Sequence, residues 1–183
     1  IRDSVLIDVL NMELREAIIK RRSVRKFVTH KEVDDLTIKS IIDLGLKAPS
    51  AGNLQPTTIF VIRNPKKKRK LATIAFDQSF ISAADVVLLV CVDKLKVTQR
   101  YGERGRTLYC IQDAAAVIQN ILLAVTAKNL GACWVGAFDE EQCMRFMTLD
   151  ESTFPVAIIP IGYESGMSPT RKKRTVEDVI IWE

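Results

Sequence analysis

The chain contains one histidine, His30, so a histidine-based catalytic triad has a single candidate and a histidine-rich zinc site has none. His30 stands in a polar stretch between two helical patterns and reads as a solvated loop residue. The four cysteines, Cys91, Cys110, Cys133 and Cys143, form no CxxC pair. Three of them lie in apolar stretches, where they read as small buried hydrophobes in a reducing, cytoplasmic setting. Glycine is sparse, 8 of 183 residues, and neither GxGxxG nor GxxxxGK followed by Ser or Thr occurs, which argues against a Rossmann site or a P-loop. The longest charge-free apolar run, residues 114–127, falls below the roughly 20 residues that a membrane span needs. Residues 5–10 are interrupted by Asp8, so no signal peptide is expected. Repeats and low-complexity linkers are also missing, and one domain covering 1–183 is the expectation.

Hydrophobic residues make up 48% and charged residues 27%, enough apolar material for a substantial core. Of the 27 cations, fifteen fall into three clusters: Lys20, Arg21, Arg22, Arg25 and Lys26; Arg63, Lys66, Lys67, Lys68, Arg69 and Lys70; and Arg171, Lys172, Lys173 and Arg174. Elsewhere 12 cations face 22 carboxylates, so the chain is an acidic globule with local cationic spots suited to an anionic ligand. The clusters lack interleaved aromatics, which speaks against a nucleic-acid surface and leaves a basic nucleic-acid or anion-binding module as the rival reading.

Residues 12–22 have helical spacing with Asn11 as N-cap, and residues 34–47 carry Ile38, Ile41, Ile42 and Leu46 on one face before Ala48-Pro49. Residues 57–63 are β-branched and aromatic, hence a strand. Residues 86–92 are a continuous apolar run that requires cover on both faces. A basic helix over 66–75 separates the two. Residues 107–128 form the longest helix, apolar nearly all round, which calls for a second surface such as a dimer partner. A short strand over 132–135 follows, then an Asp139/Gln142 capping box opening a helix, and a last strand over 154–163. The order lacks regular βαβ repetition and predicts an α+β fold: a central, mainly antiparallel sheet flanked by helices.

Arg21-Arg22-Ser23-Val24-Arg25 puts three guanidiniums and a hydroxyl within five residues at a helix end. That equips it either to hold an oxyanion or to be a solvated terminus complementing the helix dipole. Ala48-Pro49-Ser50-Ala51-Gly52-Asn53-Leu54-Gln55-Pro56 is a loop between prolines with polar side chains for a planar ligand, or an ordinary connection. Gln112-Asp113-Ala114-Ala115-Ala116, Gly131-Ala132-Cys133-Trp134-Val135-Gly136-Ala137-Phe138 and Ile159-Pro160-Ile161-Gly162-Tyr163 follow in order. Together these landmarks resemble the flavin-dependent nitroreductase family over residues 14–182.

The resemblance implies an FMN-binding, intertwined homodimer with two flavin sites at the subunit interface. Arg21, Arg22, Ser23 and Arg25 would grip the flavin phosphate and pyrimidine edge, while Pro49, Ser50, Asn53 and Gln55 reach the flavin of the other subunit. Backbone around Val135, Gly136 and Ala137 would approach flavin N5. Arg171 and Lys173, or alternatively Arg174, would meet the phosphate. Gln78 is expected at the flavin edge or as a polar loop residue. The implied activity is hydride transfer from NAD(P)H through N5 to a small electron-poor acceptor, a nitroaromatic or quinone, by ping-pong exchange. The flavin would carry the chemistry, with no catalytic side chain and no metal. Reductive dehalogenation or flavin reduction is the alternative on the same fold. The chain departs from the family pattern in having Gly136-Ala137 where some bacterial members have Glu-Gly, and Thr57 where many have an aromatic residue. The polar segment 98–107 reads as a lid with Tyr101 stacking on substrate, or as a solvated loop. The 63–70 cluster reads as a solvated helix face able to draw in NAD(P)H.

Overall fold

The computed structural model describes residues 12–169 and 171–183. Strand β2 (Val86–Asp93) organises the rest, because its first seven residues are apolar and fully buried on both sides. Such a strand has to be central. It pairs antiparallel with β1 (Thr57–Ile62) on one side and with β4 (Thr153–Gly162) on the other, and β3 (Gly131–Ala132) pairs with the far edge of β4. The order β1-β2-β4-β3 is antiparallel throughout, as the sequence predicts for the sheet. A register shift at Val90/Cys91 interrupts the β2–β4 ladder.

Alternation along β2 divides the core between two layers. Val86, Leu88, Val90 and Val92 face helices α2 (Asp35–Gly45) and α6 (Cys110–Ala127), packing with Val117, Ile118, Ile121 and Val125. Val87, Leu89 and Cys91 face α3 (Pro65–Ile74), the short α4 (Phe80–Ala83) and α7 (Glu140–Met147), packing with Leu71, Ile74, Ile81, Val135, Phe138 and Cys143. Each fully buried Val, Leu or Ile contributes roughly 1.5–3 kcal/mol relative to exposure. All four cysteines are buried and free, and burial pushes the Cys91 and Cys143 thiols up to about 12. His30 is exposed.

Local chemistry explains the helix boundaries. Asp34 caps α2, accepting from the Thr37 N–H at 2.8 Å, and Asn64 caps α3 with Pro65 at its first position. Helix α2 lies close against α6, since a Cβ on Gly45 would stand 2.6 Å from Ile121 Cγ1. Asp139 accepts from the Gln142 N–H at 2.8 Å, and the Gln142 side chain returns to Asp139 Oδ2 at 2.7 Å, a variant of the expected box. Helix α1 (Leu14–Lys20) is shorter than the sequence suggests and starts after Glu13; the expected cap, Asn11, lies outside the described residues. Of its apolar face only Ala17 is buried, with Leu14 and Ile18 exposed.

The largest revision concerns the segment before α6. Residues 98–107, expected as a lid or loop, are helical: α5 (Lys94–Arg104) is capped by Asp93 and continues through a π-turn (Gly105–Tyr109) into α6. The chain turns at Gly102, whose φ of 59° suits glycine. Val97 is fully buried and anchors a helix whose polar composition conceals it. The run Lys94–Ala127 is the one helical stretch among the described residues long and apolar enough to cross a membrane, and its buried face belongs to the core.

Candidate functional site

After Arg21 closes α1, the chain extends beside the sheet edge, where Ser23 bridges Ala132 and the Val24 N–H donates to the Ala132 carbonyl at 2.9 Å. Extended backbone alternates its side chains. Val24 is buried, whereas Ser23 and Arg25 are exposed on the opposite face with Arg21 alongside. Beneath that face lies the Cys133 thiol: burial pushes its pKa up, opposed by Arg25, the Ser23 hydroxyl and Arg21. Arg21, Ser23 and Arg25 therefore share one face, opposite buried Val24. Arg25 also lies 5.7 Å from the centre of the Phe80 ring.

Cys133 leads into the second element of the site. Val135 exchanges both backbone hydrogen bonds with Ile158, at 3.0 and 2.9 Å, so its own amide is committed to the sheet. Gly136 and Ala137 leave the sheet and are exposed, and their amides have no partner among the described residues. A Cβ added at Gly136 would meet nothing within 4 Å. Gln78 joins this group, its Nε2 donating to the carbonyls of Ala137 at 3.0 Å and Ala75 at 2.9 Å. The arrangement offers an anion-holding face, two free backbone donors and an unobstructed approach between them.

The proline-flanked loop forms a separate surface. Its 3-10 turn (Ala51–Asn53) holds Asn53 and Gln55 at φ of 56° and 49°, an uncommon state for residues with side chains. The Gln55 N–H donates to Ser50 Oγ at 3.0 Å, and Gln55 Nε2 to Asn53 Oδ1 at 2.9 Å. Pro49, Ser50 and Ala51 line a hollow of about 320 Å³ with Gln112 and Asp113 of α6. Asp113 anchors the loop, accepting from the Ala51 N–H at 2.9 Å, while its other oxygen is buried without a partner among the described residues. Burial pushes the Asp113 carboxyl up, against the Ala51 amide. Sequence reasoning uses Asp113 only as a landmark; a lone carboxylate opening an apolar helix is the signal for its role. The Thr57 hydroxyl, at the position where many family members carry an aromatic ring, is also buried and unpartnered among the described residues.

A model of the nitroreductase family matches residues 18–82 and 75–163. The chain belongs to the nitroreductase family. It is 32% identical over 167 residues to a Methanothermobacter thermautotrophicus protein named NADH dehydrogenase/NAD(P)H nitroreductase, covering 89% of this chain and 83% of the relative. A Vibrio harveyi NADPH-flavin oxidoreductase is 28% identical over 177 residues, with 92% and 72% covered. A solved nitroreductase family protein from Streptococcus pneumoniae shares the fold with a TM-score of 0.86 at 22% identity, over 93% of this chain and all of that one.

Several expected participants of this nitroreductase-family oxidoreductase lie elsewhere. Arg22 turns from the open face and forms a two-pronged ion pair with Glu164. Tyr101 is part of helix α5, stacked edge-on against Tyr109 at 5.3 Å and close to Gly52, so it is no free lid residue. Arg171, Lys173 and Arg174 are exposed; Arg174 donates to the Asp178 carbonyl within its own segment. The 63–70 cluster is only partly a solvated face. Arg63 pairs with Asp35 and Asp85, both at 2.8 Å, and the Lys68 ammonium is buried against the Ala84 and Asp85 carbonyls at 2.5 and 2.8 Å.

Proposed function

We propose that this protein is an NAD(P)H-dependent oxidoreductase that holds FMN at the interface of a homodimer and reduces a small electron-poor acceptor, a nitroaromatic or a quinone. The observation that carries the reading is the shared face of Arg21, Ser23 and Arg25, opposite buried Val24, together with the open backbone of Gly136 and Ala137. These residues fit the group: a nearly dianionic phosphate needs several charge-assisted donors, each contributing about 1.5–3 kcal/mol, and a flat ring needs a wall without side chains. When bound, the flavin supplies the acceptance and donation of hydride.

This chain's residues do the rest. Arg21 and Ser23 hold the phosphate. Arg25 places positive charge at the pyrimidine edge, which favours added electron density there and raises the potential. Gln78 fixes the Ala137 carbonyl, on the peptide that follows the two free amides. Val135, whose carbonyl shares a peptide with the Gly136 amide, tethers the preceding side to β4. Pro49, Ser50, Asn53 and Gln55 serve the site of the second copy, on a loop anchored by Asp113. Arg171, Lys173 and Arg174, exposed on a segment that ends in the exposed Ile181 and Trp182, are available to a phosphate once two copies assemble. The uncovered Leu14 and Ile18, beside an apolar hollow of about 270 Å³, favour such assembly. The four buried free thiols suit a reducing, cytoplasmic setting.

The test is the visible spectrum of the purified protein. Flavin bands at roughly 450 nm are expected, bleached anaerobically by NADH or NADPH and restored by a nitroaromatic or quinone. A colourless protein that takes up no added FMN overturns the reading. Restoration only by a halogenated acceptor or by free flavin would instead identify reductive dehalogenation or flavin reduction on the same fold.

A further inference from the structure

We infer that Arg22, although it lies within the arginine-rich motif, does not touch the cofactor: with Glu164 it forms a clasp that sets the pose of the cofactor-binding strand. The inference rests on the flavin reading above. Three arginines within five residues look like one anion grip, but extended backbone cannot aim them all the same way. Positions 21, 23 and 25 share one face, and Arg22 lies on the other, lining one hollow with buried Val24 and with Glu164.

There its guanidinium meets a fitted partner. Arg22 Nε donates to Glu164 Oε1 at 3.2 Å, Nη2 donates to Oε2, and Oε1 also accepts the Ser168 N–H at 2.8 Å. The side chains keep 33% and 17% of their exposure, so the pair is shielded enough for its geometry to matter. Glu164 stands where the chain beyond β4 runs beside the clamp strand. It bridges Phe27, the Val28 N–H donates to the Tyr163 carbonyl at 2.8 Å, and the Ser165 N–H to the Lys26 carbonyl at 2.9 Å. The backbone bonds fix the register of residues 26–28. The planar fork fixes the strand four residues earlier, ahead of Ser23 and Arg25. Lysine could supply the charge at position 22 but not the two-pronged geometry.

The clasp predicts a pattern that a phosphate ligand would not produce. The full-length chain, stripped of flavin, is titrated with FMN and with riboflavin, which lacks the phosphate, and flavin fluorescence is followed. Arg22→Gln and Glu164→Gln should each weaken both flavins by about tenfold and leave the FMN-to-riboflavin ratio unchanged. Arg21→Gln should lower that ratio. The exchange Arg22→Glu with Glu164→Arg should recover most of the affinity, and Arg22→Lys, which keeps the charge but loses the fork, should show the same unselective loss. A selective loss of FMN in Arg22→Gln overturns the inference, since Arg22 would then be a phosphate ligand. Unchanged affinity for both flavins in the single variants overturns it too, because the pair would serve stability alone. A wild-type chain that binds neither flavin fails the proposed function itself.

Discussion

Residues 21–26 and 63–70 are comparable as sequence, short basic stretches following a helix and a strand, yet the fold uses their cations differently. In the first, Arg21 and Arg25 have no carboxylate partner among the described residues, and Arg25 lies 5.7 Å from the centre of the Phe80 ring. In the second, Asp85 receives Arg63 at 2.8 Å and the Val33 N–H at 2.9 Å, and Lys68 is sealed against two carbonyls. The placement of acceptors differs. A cation stays open to a ligand where the fold withholds carboxylates from it, as at Arg21 and Arg25, and becomes a strut where the fold supplies one, as at Arg22 and Arg63.

The comparison is broken most forcefully at Asp85. Asp85→Ala leaves Arg63 and the Val33 amide without their shared carboxylate, and should cost about 3 kcal/mol in urea unfolding without changing the flavin affinity of folded protein. On the other side, Arg21→Ala should lose about 2 kcal/mol of FMN binding, close to thirtyfold, with stability unchanged. Reversal of those two outcomes would dissolve the distinction. Acid titration sharpens it. Burial pushes the Glu164 carboxyl up, but Arg22 and Ser168 prevail and hold it below its usual value, so its stability contribution is present above the ordinary carboxylate range and lost as pH falls through the folded pKa. Glu164→Gln should flatten the acid limb of the stability profile. The smallest effect is expected at exposed Lys67 and Lys70, where glutamine substitutions should shift stability by under about 0.5 kcal/mol and leave the KM for NADPH unchanged. A raised KM there would mean that the basic helix recruits the dinucleotide after all.

Much of the fold was readable from local pattern. The unbroken apolar run of β2 demands two covered faces and receives them, and the cap at Asp139 stands where the residue types suggest. Helix α5 was hidden because it is polar, contains a glycine and depends on a single fully buried residue, Val97. For the candidate site, the motifs marked residues 21–25, the proline loop and Gly136 as candidates. It could not separate Arg22 from Arg21, since that depends on which side of an extended strand meets Glu164, 142 residues away. Asp113 was equally obscure, because its partner is a backbone amide 62 residues distant.

Sequence alone determined the periodicities, the caps, the turn-forming loop and the inventory of cations, since these are properties of neighbouring residues. Tertiary structure decided which cations remain free, which amides escape the sheet and which carboxylate is buried under the loop. The reason is that each of these depends on an acceptor or a wall brought in from distant chain, and hydrogen-bond geometry is fixed only when both partners are in place.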